Sequence, residues 1–458
     1  MRFYSLYQYK TEVALFSFAF LIRIIAFCIF LNLSAQNQFP FPVNGNDAVG
    51  YVRIAYNLIE HGAFSRETVF PYNLDSFRTP GYPIFIASIL LLFKSLLAVS
   101  IFQISLASFS VVLLYRIVTL YAKRWVGLGA ALIFALEPGG IFLSSVLLSE
   151  VLFTFLLLLS LYFFLRLNGS VLKSGLALGL ATLVRPIGFM LWPVFIVGIF
   201  FIYQKAKLKT IFIFSVAFLL FILPWSFRNR IEFGSWQLSD VLVRNFFTYN
   251  APLFIAHQQN ISEDAARSFL KSELQQRLGI VIHDMTLANA EEVSDIYMPY
   301  IRQHPLSFTK FYFIKALPFF FTDGITDVSA KLGITKEYGS NLSTLILNRQ
   351  WQGLRRSIFA MEGVNILFLI GVIIWSGISI LMVIAVADAY WAGDKFRFHL
   401  LFLFIAVICT AVLSGVVVNY RLRYPVSPIM IGLAIIGACR VANVLRGSNL
   451  KRSFPFIQ

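Results

Sequence analysis

VALFSFAFLIRIIAFCIFLNL, residues 13–33, decides the fold class, because it is apolar over about the 20 residues that a helix needs to cross a bilayer. Runs of this kind recur as far as the C-terminal tail, and the 458-residue chain is 58% hydrophobic and 13% charged. In hydrocarbon, backbone polar groups need partners within their own segment, so the runs are predicted to be helices. The sequence therefore predicts an all-α polytopic membrane protein, with residues 13–33 as a retained first span.

The distribution of positive charge predicts how the chain crosses the membrane. The formal net charge is +16, but Lys and Arg lie mostly in short connections between apolar runs, as the positive-inside rule expects. Membrane lipids, and no nucleic acid, are therefore the expected surroundings. About ten spans with both chain ends in the cytoplasm are predicted. They are residues 13–33, 97–119, 126–143, 149–165, 175–185, 192–203, 210–225, 361–387, 398–418 and 425–445.

Four segments are not predicted to span. Residues 34–83 form a first extracytoplasmic loop, and residues 80–94 and 308–321 are apolar but short, which is typical of helices lying in the interface. Residues 229–306 hold many of the acidic residues and predict an extracytoplasmic helical insert, with one helix from Ser262 to Leu278. The chain thus divides into an N-terminal transmembrane module (1–228), the insert (229–306), and a C-terminal interfacial helix with further spans (307–458).

Ionisable residues near the ends of the spans gather on one predicted face. Charged groups are costly in or near hydrocarbon and mark functional candidates. The group comprises Asp47, Arg53, Arg78, Glu150, Arg185, Arg228, Arg421 and Arg423. Individually, the two acids could be helix caps and the arginines interfacial anchors. Together, arginines on the extracytoplasmic face oppose the positive-inside bias and indicate an anionic phosphate ligand, since guanidinium groups bind phosphate oxygens in pairs.

An ordered set of motifs carries a resemblance to a known family. The motifs are DAVGYVRIAYNLIEHG (47–62), FRTPGYP (77–83), LSE (148–150), LVRP (183–186), PW with Arg228-Asn229 (224–229) and RLRYP (421–425). In this order they resemble the GT-C superfamily of membrane glycosyltransferases. The similarity is greatest to the bacterial branch with protein-mannosyltransferase-like enzymes, the lipid A aminoarabinose transferase and the rhizobial galacturonosyltransferases. It covers most of the chain except residues 229–306.

The resemblance implies inverting transfer of a sugar from a polyprenyl-phosphate donor to a glycan, glycolipid or protein acceptor. The reaction would take place on the extracytoplasmic face of the inner or plasma membrane, in envelope-glycan synthesis or protein glycosylation. Asp47 is the implied catalytic base toward the acceptor hydroxyl. The implied donor phosphate or sugar contacts are Arg78, Arg185, Arg228, Arg423 and Tyr424. The implied acceptor or sugar contacts are Glu150, Arg53 and Tyr82.

The chain departs from the family pattern at the first loop. Thr79 separates Arg78 from Pro80, and Ser76 and Phe77 stand where the lipid A branch has an acidic residue. Aminoarabinose transfer is therefore not predicted. No metal-ligating residues are predicted, and a divalent cation is left open as a cofactor.

Two other functions are compatible with a polytopic chain. A flippase or transporter for lipid-linked sugars would be expected to show internal repeats and charges at mid-membrane depth, and neither is evident. An O-antigen polymerase or ligase also uses outer-loop arginines and lipid-linked substrates, but it lacks the acid-bearing first loop. Asp47 thus distinguishes the glycosyltransferase prediction from this alternative.

Overall fold

Long apolar helices make up most of the computed structural model, which describes residues 2–37, 40–166, 169–203, 206–322, 364–416 and 419–445, with isolated residues between 324 and 352. These described residues contain no β-strand, so the predicted all-α class is confirmed. The α-helices are α1 (Arg2–Asn37), α2 (Gly45–His61), α3 (Gly81–Phe93), α4 (Leu96–Thr119), α5 (Arg124–Ala135), α6 (Pro138–Ser145), α7 (Glu150–Leu165), α8 (Val171–Val184), α9 (Leu191–Ile202), α10 (Lys207–Phe233), α11 (Val241–Asn245), α12 (Ala251–Gln259), α13 (Glu263–Leu278), α14 (Ala290–Gln303), α15 (Pro305–Ala316), α16 (Val364–Trp391), α17 (Arg397–Leu413), α18 (Tyr420–Arg423) and α19 (Ser427–Leu445).

Several of these helices identify a multi-pass membrane protein. Within the described residues, five helical segments are long and apolar enough to cross a bilayer: parts of α1, α4, α10 and α16, and the run from α18 through α19. The bent pair α5 and α6 would make a sixth. Shorter apolar helices, α7, α8, Pro186–Ile202 and α17, occupy the other predicted spans. The count of ten spans stays a prediction, and residues 361–363 and 417–418 of two spans lie outside the described residues.

Residues 126–143, which were predicted to form one span, fold as two helices, α5 and α6. Helices α5 and α6 meet at an angle of 58°, because Pro138 has no N–H to continue the α5 hydrogen bonds. Glu137 forms the N-cap of α6, and its carboxylate accepts a hydrogen bond from the Gly140 N–H. The break therefore places a buried carboxylate inside the bundle.

Helix α10 crosses the predicted boundary between residues 228 and 229. It ends at Phe233, and Gly234 follows with a φ of 72°, a left-handed conformation that favours glycine at a helix end. Arg228 and Asn229 thus lie on the last turns of a long apolar helix. The insert begins after that helix.

Helix α8 packs between α7 and α10. Its approach to α10 is close because Gly175 and Gly179 have no side chains: a Cβ atom there would lie 2.5 Å from the Phe214 carbonyl oxygen and 2.7 Å from that of Phe218. Small residues four apart are a common way for membrane helices to approach. This packing holds the C-terminal end of α8 beside the N-terminal end of α7, where two of the predicted site residues lie.

The insert has a hydrophobic core of its own. The predicted helix from Ser262 is confirmed as α13, with the Ser262 hydroxyl accepting from the Ala265 N–H. Buried residues of α13 and α14, including Leu270 and Val293, pack together. Helix α15 follows with only 12 residues, or about 18 Å at 1.5 Å per residue, so residues 308–321 do not contain a full-length spanning helix.

Candidate active site

The ends of five widely separated segments meet in one cluster of charges. The cluster consists of Asp47 near the start of α2, Arg78 in the loop before α3, Glu150 at the start of α7, Arg185 after α8, and Arg421 in α18. All five belong to the face predicted from the sequence. We call this set the charge cluster.

Asp47 lies between two guanidinium groups. Its Oδ1 accepts from Nη2 of Arg78, and its Oδ2 is 2.7 Å from Nη2 of Arg421. Burial alone would raise the pKa of Asp47, but the charges of Arg78 and Arg421 outweigh burial and hold the pKa below its usual range. The side chain is still 35% exposed. Asp47 is therefore an ionised carboxylate that a substrate can reach.

Glu150 is the buried acid of the cluster. Its side chain is fully buried, and Oε1 contacts both Nε of Arg421 and Nη1 of Arg185, the latter at 2.6 Å. Its Oε2 has no hydrogen-bond partner among the described residues. A buried carboxylate oxygen without a donor is costly, so Oε2 has an unused capacity to accept a hydrogen bond. Both acids lie in first helical turns, and in each the carboxylate contacts arginine.

Aromatic rings and the first loop hold Arg78 in position. Its guanidinium carbon lies 4.5 Å from the Tyr51 ring centroid and 4.3 Å from that of Phe77. Its backbone N–H donates to Oδ1 of Asp75 at 2.7 Å, and Nη1 donates to the Tyr51 hydroxyl at 3.3 Å. These contacts do not involve Asp47. Arg78 therefore stays in place if its guanidinium group binds another anion instead of Asp47.

Tyrosines connect Arg78 to the start of α7. The Tyr51 hydroxyl donates to Oγ of Ser149 at 3.2 Å, and Arg185 reaches the same oxygen at 3.4 Å. Tyr82 packs edge-on against Tyr51, with ring centroids 4.8 Å apart, and donates to Gln103. Tyr82 therefore supports the wall of the cluster and is fully buried. The sequence reasoning missed Tyr51, although it lies one helical turn after Asp47 and so shares its face.

Two predicted arginines lie outside the charge cluster. Arg228 donates to the Asp75 carbonyl at 3.2 Å and to Oδ1 of Asn229 at 2.9 Å. Asp75 thus links it to Arg78, through its carbonyl on one side and its carboxylate on the other. Arg53 lies on the exposed face of α2, and no hydrogen bond or ion pair links it to the cluster within the described residues.

Arg421 occupies the place that the sequence reasoning gave to Arg423. The Arg423 side chain is fully buried, donates to the Phe319 carbonyl at 3.3 Å, and lies 3.5 Å from the Trp375 ring centroid. Tyr424 is also buried and stacks on Phe134 with centroids 5.9 Å apart. Arg423 and Tyr424 therefore pack in the bundle interior, whereas Arg421 contacts both acids.

The balance of charge in the cluster favours an anion. Arg78, Arg185 and Arg421 contribute three positive charges against two carboxylates, Asp47 and Glu150, which leaves one positive charge. Guanidinium groups match phosphate oxygens in bidentate geometry. A phosphate is thus an electrostatically suitable ligand.

The carboxylate of Asp47 is paired with arginines in this structure. No group of three His, Cys, Asp or Glu side chains that could hold a metal is found within the described residues. Both Asp47 oxygens also contact guanidinium groups, which repel a cation. Positive charge at this position comes from arginine.

A polar cavity of about 430 Å³ lies beside the first loop. It is lined by residues 66–67 and 73–76 of the loop, by Glu232 and Phe233 of α10, and by residues 283–286 of the insert. The insert attaches to the loop here, since Ser76 accepts from the Leu287 N–H at 3.0 Å through its hydroxyl and from the Asp240 N–H at 3.1 Å through its carbonyl. Asp75, which accepts from the Arg78 N–H, is among the residues that line the cavity.

The N-terminal part of the chain matches a protein-family model. Residues 19–234 match the family model described as dolichyl-phosphate-mannose-protein mannosyltransferase, PMT. This match confirms the predicted resemblance and supports the predicted enzyme class. It includes Asp47, Arg78, Glu150 and Arg185, while Arg421 lies beyond it. No curated protein matches the chain by sequence.

Solved structures with a similar arrangement include two of an archaeal oligosaccharyltransferase. One, from Archaeoglobus fulgidus and tethered with an acceptor peptide, has 15% identity and a TM-score of 0.47 over 95% of this chain and 50% of that chain. AglB from the same organism, with an inhibitory peptide and a dolichol-phosphate, has 13% identity and a TM-score of 0.46 over 98% and 52%. ArnT from Cupriavidus metallidurans, bound to undecaprenyl phosphate, has 13% identity and a TM-score of 0.36 over 97% and 81%. The chain spans about half the length of the archaeal oligosaccharyltransferases.

Proposed function

Because residues 19–234 match a glycosyltransferase family, we propose that this protein transfers a sugar from a polyprenyl-phosphate donor to a hydroxyl of a glycan, glycolipid or protein. One observation carries the proposal: the reachable carboxylate of Asp47 lies between Arg78 and Arg421, beside a third arginine and the buried Glu150. This arrangement puts a proton acceptor next to a site for phosphate.

The proposed reaction is a single displacement. The acceptor oxygen attacks the anomeric carbon of the sugar, and the bond from that carbon to the phosphate oxygen breaks with its electron pair going to the phosphate. Asp47 accepts the proton of the acceptor hydroxyl and later releases it to water. Because attack and departure occur on opposite faces of the sugar, the configuration inverts. The lipid phosphate leaves as an anion and needs no proton.

The arginines stabilise the charge that develops on the leaving phosphate. Fixed positive groups in a partly buried site act more strongly than in water. Arg78, Arg185 and Arg421 are the proposed phosphate contacts, with Arg421 taking the part given to Arg423 in the sequence analysis. Arg228 does not contact the phosphate in this proposal; it positions the first loop through its hydrogen bond to the Asp75 carbonyl. Glu150 is the proposed sugar or acceptor contact through its free Oε2.

The proposed location is the inner or plasma membrane, with the charge cluster on the extracytoplasmic face. The support is the charge pattern: Arg2, Lys10, Lys123 and Arg124 lie at the opposite ends of α1 and α4 from the cluster, and the positive-inside rule assigns those ends to the cytoplasm. The polar cavity between the first loop and the insert would then open on the acceptor side. Envelope glycans, glycolipids and secreted proteins are the acceptors found there.

Donor cleavage by purified protein tests this proposal. The protein in lipid nanodiscs is given undecaprenyl-phosphate-linked hexoses and pentoses with an extract of envelope glycolipids, and the release of undecaprenyl phosphate is measured. Asp47→Asn is expected to lower turnover by about 10²–10⁴-fold, the usual contribution of a general base. Asp388→Asn is the control, because Asp388 pairs with Arg440 away from the cluster.

The two parts of the proposal fail differently. Wild-type turnover in Asp47→Asn would reject Asp47 as the base. If wild-type protein cleaves no donor of this class but carries it across the bilayer, the protein is a transporter and the transferase proposal is wrong.

A further inference from the structure

Arg421 is shared between the two acids of the charge cluster. Its Nη2 lies 2.7 Å from Oδ2 of Asp47, and its Nε donates to Oε1 of Glu150. The same Glu150 oxygen is 2.6 Å from Nη1 of Arg185. Glu150 therefore keeps a positive partner if Arg421 moves, whereas Asp47 depends on Arg421 and Arg78 alone for its ion pairs among the described residues.

Arg78 also has capacity for a second anion. Its Nε is buried and has no hydrogen-bond partner among the described residues. Its position is fixed by the Tyr51 and Phe77 rings and by the backbone bond to Asp75. An anion arriving beside Asp47 can thus take Arg78 as a partner without releasing it from the loop.

In this arrangement Asp47 and the phosphate of the proposed donor compete for the same guanidinium groups. Asp47 held by two guanidinium groups is a poor proton acceptor, because those groups stabilise its charged form. The phosphate of the proposed donor needs the same guanidinium groups. Asp47 can accept a proton and the phosphate can bind the guanidinium groups only if the arginines change partners when the donor binds.

We propose that Arg78 and Arg421 exchange anions during the reaction cycle, binding Asp47 in the free enzyme and the donor phosphate in the complex. The exchange rests on the proposed function, since it needs a phosphate-bearing donor. It makes Asp47 a competent base only when a donor is present. It also makes Arg421 a catalytic residue that neutralises the base before donor binding and the phosphate afterwards.

The exchange predicts that removing the base improves phosphate binding. In Asp47→Asn no carboxylate at this position holds the two arginines, so phosphate binding no longer has to break their ion pairs. Undecaprenyl phosphate is therefore expected to bind Asp47→Asn about tenfold more tightly than wild type, which corresponds to about 1.4 kcal/mol. Arg421→Gln is expected to bind it at least tenfold more weakly.

The binding test uses undecaprenyl phosphate itself, titrated into each variant in nanodiscs and followed by ligand-induced stabilisation. Asp388→Asn is the matched control, because Arg440 also pairs with two carboxylates, Asp388 at 2.6 Å and Asp394 at 2.5 Å. It is expected to bind as wild type does. Asp47→Ser serves as a second probe if Asp47→Asn does not fold.

Each outcome bears on one statement. Equal or weaker binding by Asp47→Asn and Asp47→Ser, with normal binding by wild type, overturns the exchange and leaves the proposed function standing. Absence of binding by wild type rejects the donor class and the exchange together. Tighter binding by the Asp388→Asn control would mean that the gain is a general charge effect, and it too would overturn the exchange.

Discussion

Arg421 and Arg423 lie two positions apart, yet they have different surroundings. Successive residues of a helix point about 100° apart, so side chains two apart point to nearly opposite sides. Arg421 faces Asp47 and Glu150, while Arg423 faces the Phe319 carbonyl and the Trp375 ring. The two arginines should therefore differ in what their loss affects.

Substitution by glutamine separates the two roles. Arg421→Gln is expected to lower kcat/KM for the donor by about 10²-fold, as the loss of a charge-stabilising donor commonly does. Arg423→Gln is expected to lower the Tm by several degrees, since a buried guanidinium loses its hydrogen bonds and its ring contact. Donor kinetics and thermal melting of both variants check this. A larger kinetic loss in Arg423→Gln than in Arg421→Gln would contradict the assignment.

Asp47 should also affect stability as a function of pH. Its pKa is lowered in the folded protein by Arg78 and Arg421, so its stabilising effect is present above the unfolded value of about 3.9 and is lost as the pH falls through the lower folded value. The Tm difference between wild type and Asp47→Asn is therefore expected to be constant from pH 7 to about pH 5 and to shrink below about pH 4. Melting curves across this range measure it. A difference that disappears already near pH 6 would mean that Asp47 is not ion-paired.

At the scale of elements, the insert and the first loop form one unit. Arg244 of α11 donates to the Ile282 carbonyl at 2.5 Å and to Asp240 at 2.8 Å, and it lies 4.9 Å from the Phe77 ring centroid. Phe77 in turn packs on Arg78. The insert thus supports the loop that carries a cluster residue, and it borders the polar cavity.

Loosening this contact should affect the acceptor more than the donor. Arg244→Ala is expected to raise the acceptor KM by about tenfold, on the order of one lost charged hydrogen bond, and to leave undecaprenyl phosphate binding within about twofold. Arg267→Ala is the matched control, because Arg267 pairs with Glu263 inside the insert. Steady-state kinetics in both substrates and limited proteolysis of the insert provide the readouts. Equal effects of the two variants would show that the insert–loop contact has no particular role.

At the scale of the whole molecule, helix ends from both halves of the chain build the cluster on one face. Helix α8 ends at the cluster, α7 begins there, and α18, which carries Arg421, leads there into α19. Such an arrangement requires that these segments alternate in direction through the membrane. The predicted threading has this alternation.

Reporter fusions test the side of the membrane. A periplasmic reporter fused at about residue 45 is expected to be active, and one fused at residue 123 to be silent, because Lys123 and Arg124 mark a cytoplasmic connection. The opposite pattern would place the charge cluster in the cytoplasm and reject the proposed location.

If arginines rather than a metal ion supply the positive charge beside Asp47, the activity should not depend on divalent cations. Because both oxygens of Asp47 are paired with guanidinium groups, donor turnover in excess EDTA is expected to equal that in buffer alone. Loss of activity in EDTA that added Mg²⁺, Mn²⁺ or Zn²⁺ restores would refute this.

The sequence alone determined the fold class and the neighbourhood of the site. Apolar runs near the bilayer thickness must be helices, and charges placed where those runs end must lie at the membrane surface, so Asp47, Arg78, Glu150 and Arg185 were found from hydropathy and motif order. The composition of residues 262–278 also predicted the helix there.

Only the tertiary structure decided which charges meet. Glu150 and Arg421 are 271 positions apart, and hydropathy fixes depth in the membrane without fixing which helices are neighbours or how each is rotated about its axis. Rotation brought Arg421 to the acids and turned Arg423 inward, and the bend at Pro138 divides residues 126–143 into two helices. Lateral packing and rotation depend on side-chain fit between distant helices, and the amino-acid pattern of any single helix does not contain that information.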